Sequence, residues 1–314
     1  MCDGRPWPKI SIVTPSFNQV DYLEETIRSI LLQGYPNLEY LVMDGGSTDG
    51  SREIIHKYRQ WLTHWVSEPD NGQSSAINKG LRCITGEVFN WINSDDALQP
   101  HALKTVAEAF RLNPDRLMAG GVLYRYEDAR GEQVLQQDNV ELRQMVEFWN
   151  NTASFHQPGI FIPMHLMKQA GLLDEGLDYA FDYDLFCRLL SFAKVDYVKQ
   201  PVAMYRIHPT SKSESKGHQF LPEVYAVSKR YWASTPHLAL PPSDPKGAGL
   251  SLRVGCWQIL HRDPEGITRI KEALASDPIA ALASTLSYFP GWLRRRWSRR
   301  QRRAHAGTAP FMAN

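Results

Sequence analysis

A chain of 314 residues, 43% apolar and 22% charged, has room for one large or two modest domains and enough apolar surface to bury a core. Its formal charge of +1 conceals seven arginines between Arg294 and Arg303, and subtracting those seven leaves the rest at −6, which excludes a nucleic-acid footprint spread over the fold. Cys2, Cys83, Cys187 and Cys256 show no CxxC pair or zinc-type spacing, so a disulfide framework and a structural zinc site are excluded and a reducing compartment fits.

From residue 9 onward, short β-rich runs alternate with helical periods, the signature of βαβ units around a largely parallel sheet. Lys9 to Thr14 reads as the first buried strand. Asp21 to Leu32 carries Leu23, Ile27, Ile30 and Leu31 at helix spacing, with Asp21 as its N-cap. Leu38 to Met43 is a second strand, ending in the acidic glycine-rich turn Asp44 to Gly50, after which Ser51 to Tyr58 is helical. Leu62 to Ser67, Ser74 to Arg82 and Glu87 to Asn93 continue as strand, helix and strand, the last stopping at Ser94-Asp95-Asp96. The carboxyl ends of these strands gather at one edge, where open α/β sheets bind ligands.

Beyond Pro100 a helix runs to about Asn113 and a strand spans Met118 to Tyr126, while residues 131 to 153 carry no clear period. A helix begins near Asp182, and Val195 to Tyr205 is the last strand. Pro241-Pro242, Pro245 and Gly247-Ala248-Gly249 mark a linker between helical segments, which divides the chain into a domain over 1–215 and a helical region over 216–314.

Adjacent carboxylates at Asp95 and Asp96 repel one another after a buried strand and call for compensation, either by a hard cation such as Mg2+ or Mn2+ or as a helix N-cap pair ahead of Pro100. The turn at Asp44 lets the chain bend close to a ligand, or is a tight βα turn capped by Asp49. The segment from Ser67 to Gly80 is polar and leads into a helix whose start can face a phosphate or base, without the pattern of a P-loop. Asp182 and Asp184, set among Phe181, Tyr183, Leu185 and Phe186, offer either a general base with raised proton affinity or a pair of helix caps. Arg206 and His208 bring a cation and an imidazole to the turn after the last strand.

Thr14-Pro15-Ser16-Phe17-Asn18, Asp44-Gly45-Gly46-Ser47-Thr48-Asp49, Asn93-Ser94-Asp95-Asp96, Asp182-Tyr183-Asp184-Leu185 and Arg206-Ile207-His208, in that order and spacing, resemble glycosyltransferase family 2 over about residues 8 to 215. The resemblance implies an α/β GT-A fold, a Rossmann-like nucleotide-binding sheet fused to an acceptor-binding half, here with a C-terminal helical extension. It implies that Thr14, Pro15, Ser16, Asn18, Asp44, Gly45, Asp70, Asn78, Asn93, Ser94 and Asp95 form the pocket of a nucleotide-diphosphate sugar. By the same resemblance Asp95 and His208 hold Mn2+ or Mg2+, and Asp182 is the catalytic base. Two positions depart from the family's pattern: Asn93 replaces the first acid of the metal motif, and Phe181 stands where a glutamate precedes the base. His156-Gln157-Pro158-Gly159 is similar to a stretch in the acceptor half of some members.

The expected activity is transfer of one sugar, with inversion, to a glycan or lipid-linked acceptor in cell-surface polysaccharide biosynthesis. The alternatives are a sugar nucleotidyltransferase, which needs a glycine-rich basic loop that Thr14 to Asn18 does not offer, and a non-catalytic carbohydrate-binding protein, which has no need of Asp95, Asp182 and His208 together. A processive synthase would need membrane-spanning helices and a Gln-x-x-Arg-Trp motif, but Leu293 stands in the glutamine's place. No apolar signal core opens the chain, and residues 278–293 are too short and too broken to span a bilayer, which leads to a cytoplasmic expectation. Residues 279–303 combine Ile279, Leu282, Leu286 and Phe289 on one helical face with Trp292, Leu293 and Trp297 among arginines. That mixture fits a helix lying on an anionic membrane, placing the protein peripherally on the inner face, or a partner-binding or solvated tail.

Overall fold

The computed structural model of the protein describes residues 6–138, 140–146, 155–212, 217–232, 248–260 and 264–282. Strand β1 (Ile10–Ser16) is buried along its whole length, between β2 (Leu38–Asp44) and β4 (Val88–Trp91), and pairs parallel to both. Ile10, Ile12 and Val13 supply its apolar surface, while the buried Ser11 and Thr14 hydroxyls are satisfied by Glu39 and the Tyr40 hydroxyl. β3 (His64–Ser67) extends the parallel set as a half-exposed edge beside β2.

Helices α1 (Val20–Leu31), α2 (Ser51–Tyr58) and α3 (Gln73–Cys83) connect these strands. α1 buries Leu23, Thr26, Ile27 and Ile30, one stripe at three- and four-residue spacing. It does not start on Asp21: the cap is Gln19, which makes no side-chain capping bond. Its first N–H, from Val20, is taken by Asp49 Oδ2 at 2.9 Å, while Asp49 Oδ1 accepts from the Ser51 N–H at 3.0 Å. One carboxylate therefore serves the starts of two helices, and this satisfies donors that α1 cannot satisfy itself.

The second half contains β5 (Ala97–Leu98), α4 (Ala102–Leu112), β6 (Arg116–Tyr126), β7 (Glu132–Leu135), α5 (Leu142–Val146), β8 (Ile160–Pro163), α6 (Met164–Ala170), α7 (Phe181–Leu190), β9 (Lys194–Ile207) and α8 (Gly217–Trp232). The sheet runs in the order β3-β2-β1-β4-β8-β6-β9-β5, with β7 added to β6. Parallel pairing holds for the first four strands, as the alternation predicts. Beyond β4 the sheet is mixed, because β8 enters antiparallel to both β4 and β6. β8 follows a short 3-10 turn, Gln157–Gly159, and antiparallel neighbours need no crossover helix. This one strand fuses the two halves into a continuous sheet.

Compact packing divides the chain after Lys229, within α8. In the second unit, α9 (Ala248–Leu260) and α10 (Glu265–Ser276) pack through Gly255 and Gly266, where a Cβ on either residue would lie 2.9 Å or less from the other's carbonyl oxygen. Ala248, Leu252, Ala273 and Ala281 form its small core. The linker prolines and most of the basic tail lie outside the described residues. Among the described residues, no helix is long and apolar enough to cross a membrane.

Candidate active site

The parallel register aligns Ser16 with Asp44 and Asp44 with Ser67, so three strand ends present one row at the carboxyl edge of the sheet. Above it lies a cleft of about 630 Å3. It is lined by Pro15, Ser16, Gly45, Asp70, Asn93, Ser94 and Asp95 from the first half of the chain, and by Tyr124, His156, Tyr179 and Asp182 from later segments. Asp95 and Asp182, 87 positions apart in sequence, thus open onto the same space.

Four of the expected pocket residues serve the architecture instead of lining the cleft. Asp44 is buried, and its carboxylate accepts hydrogen bonds from the Gly46 and Ser47 N–H groups at 3.2 and 2.9 Å, the Ser67 hydroxyl at 2.6 Å and the Ser47 hydroxyl. It holds the turn in shape, with Gly46 at φ +85°, a conformation that favours glycine. Gly45 then faces the cleft in Asp44's stead, packed so tightly that a Cβ there would meet Asp70 Oδ2 at 2.9 Å. Thr14 is buried against the Tyr40 hydroxyl at 3.1 Å. Asn18, at φ +52°, clasps the neighbouring turn: its Oδ1 accepts from the Thr48 N–H at 2.9 Å and its N–H donates to Ser47 Oγ at 2.8 Å. Asn78 is buried on α3, donating to the Leu173 carbonyl at 3.0 Å and Glu175 Oε1 at 2.8 Å while accepting from the Leu173 N–H at 3.0 Å.

Residues that do face the cleft retain bonding capacity. The Ser16 hydroxyl is buried and has no hydrogen-bond partner among the described residues. A buried hydroxyl without a partner is unfavourable, so it is suited to a substrate's polar group.

Asp95 and Asp96 do not cap a helix, because β5 follows them directly and α4 begins only at Ala102 behind His101. Asp96 is buried; its carboxylate accepts from the Arg206 N–H at 3.1 Å and from Asn93 Nδ2 at 3.2 Å. Burial, and then the neighbouring charge of Asp95, push its carboxyl well above the usual carboxylate range. Asp95 instead turns toward the cleft, with Oδ2 3.2 Å from His208 Nε2 and its carbonyl accepting from Arg206 Nε at 3.1 Å. The compensating positive charge inferred for this pair therefore comes in part from Arg206, whose guanidinium also reaches Glu25 and lies 5.0 Å from the Tyr22 ring centroid.

The His208 imidazole is almost wholly buried, its ring tilted 4.5 Å from that of Tyr22. Its Nδ1 lies 2.9 Å from Thr210 Oγ1 and its Nε2 3.2 Å from Asp95 Oδ2, so the ring is held between a hydroxyl and a carboxylate. Asp95 lines the cleft, and the His208 imidazole is buried in contact with it without lining the cleft itself; among the described residues no group of three or more His, Cys, Asp or Glu side chains is placed to hold a metal. This donor set fits Mg2+ or Mn2+, which take their remaining ligands from phosphate oxygens and water.

Asp182 sits in the first turn of α7, half-buried among Phe181, Tyr183 and Leu185. Burial raises its carboxyl to about 6, against the opposing hydrogen bond from the Tyr183 N–H at 2.6 Å and the charge of Lys212. Asp184, two residues on, is paired with Arg188 at 2.9 Å, so the two acids have separate roles. His156 accepts or donates one hydrogen bond with the Tyr124 hydroxyl at 2.8 Å, and burial lowers its pKa to about 4, leaving a neutral imidazole on the cleft wall. Tyr124, Tyr179 and Phe220 also line the cleft but were not legible in the sequence, since single aromatics on a strand, a turn and a helix form no motif. Gln73, within the polar segment from Ser67 to Gly80, also lines the cleft, and its amide donates to Asn93 Oδ1 at 2.7 Å.

Residues 11–169 match the model of glycosyl transferase family 2. An uncharacterised glycosyltransferase of Rickettsia typhi is 28% identical over 219 residues, covering 68% of this chain and 68% of that protein. The putative teichuronic acid biosynthesis glycosyltransferase TuaG of Bacillus subtilis is 36% identical over 104 residues, 32% of this chain and 41% of its own. Among solved structures, S. aureus TarS 1–349 in complex with UDP-GlcNAc shares the fold, with a TM-score of 0.62 at 17% identity over 90% of this chain and 92% of that one. The chain is an enzyme of glycosyltransferase family 2, built on a GT-A fold.

Proposed function

We propose that this glycosyltransferase moves a single sugar, with inversion, from a nucleoside-diphosphate donor to a hydroxyl of a glycan or lipid-linked acceptor in cell-surface polysaccharide synthesis. The observation that carries this reading is the opening of Asp95 and Asp182 onto one cleft. A uridine diphosphate sugar is the first donor to test, because TarS, which has the same fold, is seen with UDP-GlcNAc. The teichuronic acid assignment of TuaG supports a cell-surface polymer as the destination.

In this mechanism Pro15, Ser16, Gly45 and Asp70 receive the nucleotide, the Ser16 hydroxyl gaining the partner it lacks. Asp95 and His208 would hold Mg2+ or Mn2+, which supplies positive charge to the departing diphosphate. Asp182 accepts the proton of the acceptor hydroxyl as that oxygen approaches the anomeric carbon from the opposite side. A carboxylate poised near 6 is ionised at neutral pH yet basic enough for the task. A single displacement needs no enzyme nucleophile, and it inverts the anomeric configuration. Tyr179, Phe181 and Phe220 cover the base end of the cleft with apolar surface that limits competing water.

A panel of nucleotide sugars, assayed for metal-dependent hydrolysis and for thermal stabilisation, tests the donor class. Stabilisation by uridine nucleotides above all others is expected; indifference to every nucleotide would reject the reading. For the tail, the exposed Ile279 and Leu282, 80% and 55% accessible, begin the apolar face proposed to rest on an anionic membrane.

A further inference from the structure

The turn that launches α7 has more to satisfy than its own residues provide. Asp178, Tyr179 and Ala180 present three successive backbone N–H groups, and Ala180, the helix cap, makes no side-chain capping bond. All three are taken by one side chain from another element. Glu223 on α8 accepts from Asp178 through Oε1 at 3.1 Å, and from Tyr179 and Ala180 through Oε2 at 2.8 Å each. A carboxylate accepting three N–H groups at a helix start is a charge-assisted clamp.

Other contacts fix the same turn. Lys212 Nζ donates to the Asp178 carbonyl at 2.6 Å and lies 5.1 Å from the centroid of Tyr179 and 5.9 Å from that of Phe181. One turn before Glu223, Phe220 packs its ring on Tyr179 at 5.2 Å. Farther along α8, Ser228 Oγ meets the Tyr183 hydroxyl at 2.7 Å. The turn is held by its N–H groups, its carbonyl and its aromatic ring, and Asp182 projects from it into the cleft.

We infer that Glu223 is the positioning residue for Asp182: its carboxylate fixes the turn that aims Asp182 at the acceptor hydroxyl, and its charge faces that carboxylate. This rests on the reading of Asp182 as the base. The charged and titratable groups around Asp182 are Lys212 from the turn after β9, Glu223 from α8, and on α7 itself Cys187, whose thiol burial keeps protonated, and the Asp184–Arg188 pair. Glu223 raises and Lys212 lowers the proton affinity of Asp182. Phe181 leaves no carboxylate beside the base in sequence; Glu223 brings one to the same turn from 41 residues away.

The experiment compares Glu223→Gln, Glu223→Asp and Asp182→Asn in the full chain, with melting temperature and circular dichroism as controls for folding. Glu223→Gln is expected to lower kcat roughly tenfold at pH 8 while KM for the donor stays within about threefold. It is also expected to move the acid limb of kcat/KM by about half a pH unit to lower pH, because a negative charge facing Asp182 is gone. A purely structural role would lower the melting temperature and leave that limb in place. Glu223→Asp restores the charge, so its limb returns to the wild-type position while the shortened arm keeps kcat several-fold low. A folded Glu223→Gln with wild-type kcat and an unmoved limb overturns the inference; if it fails to fold, wild-type kcat in Glu223→Asp does so. An Asp182→Asn variant that stays active removes the base reading itself, whereas an inactive one beside an unaffected Glu223→Gln rejects only the clamp.

Discussion

His208 Nε2 stands 3.2 Å from Asp95 Oδ2, although 113 residues separate them. The contact forms because β9 runs back beside β5, pairing Ala97 with Met204 and Leu98 with Ala203, so the turns at the ends of both strands meet. If this pair holds the divalent cation, His208→Ala raises the Mn2+ concentration for half-maximal activity roughly tenfold or more. Asp95→Asn does so more severely, since it removes the charged ligand. Titration of activity against Mn2+ reads both effects, and unchanged metal curves in folded variants would remove the pair from the metal site.

Asp182→Asn is expected to lower kcat by about 10²- to 10⁴-fold and to raise stability. The carboxyl binds its proton more tightly in the folded state, at about 6 against an ordinary value near 4, so ionisation opposes folding. That cost is fully present above about pH 6 and vanishes below about pH 4; removing the charge recovers about 2 kcal/mol at neutral pH. The wild-type rate should fall as pH drops through about 6, where the base takes up its proton. Paired thermal melts and pH–rate profiles check both statements.

Asn78 and Asp70 separate scaffold from pocket. Asn78→Ala leaves the Leu173 N–H and carbonyl without the partner that binds α3 to them, which costs about 2 kcal/mol. Nucleotide affinity of the folded variant should stay within about threefold. Asp70→Ala should behave in the opposite way, weakening the nucleotide Kd about tenfold with little change in melting temperature. Calorimetry with the preferred nucleoside diphosphate distinguishes them.

Glu39 lies at the start of β2, the opposite end of that strand from the cleft. Burial alone would raise its carboxyl, but the Ser11 hydroxyl, the Thr85 N–H, the Lys9 ammonium and the Thr85 hydroxyl outweigh it and hold it at about 2. Its stabilisation is therefore present above pH 4.5 and is lost as pH falls through 2. Glu39→Gln should cost about 2–3 kcal/mol at pH 7 and flatten the acid limb of the stability curve, leaving specific activity unchanged. Urea melts between pH 2 and 7 test this.

Truncation after Ser287 removes the aromatic and arginine-rich part of the proposed membrane segment. Flotation with vesicles containing phosphatidylglycerol should retain the full chain and lose the truncated one. Equal flotation of both would place any membrane contact elsewhere.

The parallel strands and the helices between them were legible because each has to build or cover one sheet, and that requirement fixes apolar spacing in β1, α1 and β2. Short elements were not. Four apolar residues, Ile160–Pro163, read equally well as strand or buried helix, and only the open edges of β4 and β6 decide the matter. The motifs singled out Asp95 and Asp182, which line one cleft, because a carboxylate at a strand end or helix start needs a reason that chemistry can state. They could not show that Asp44 and Asn78 bond their own chain, since a polar side chain in a motif looks the same whether it bonds a ligand or its own backbone. Whether it faces the cleft depends on partners such as Ser67 and Leu173, brought close only by register and packing. The sequence by itself determined the parallel strands, the edge where their carboxyl ends gather and the residue types there. The tertiary structure decided which of them share one cleft, that Glu223 reaches the turn before Asp182, and that His208 meets Asp95, because these contacts join chain segments whose spacing carries no local period.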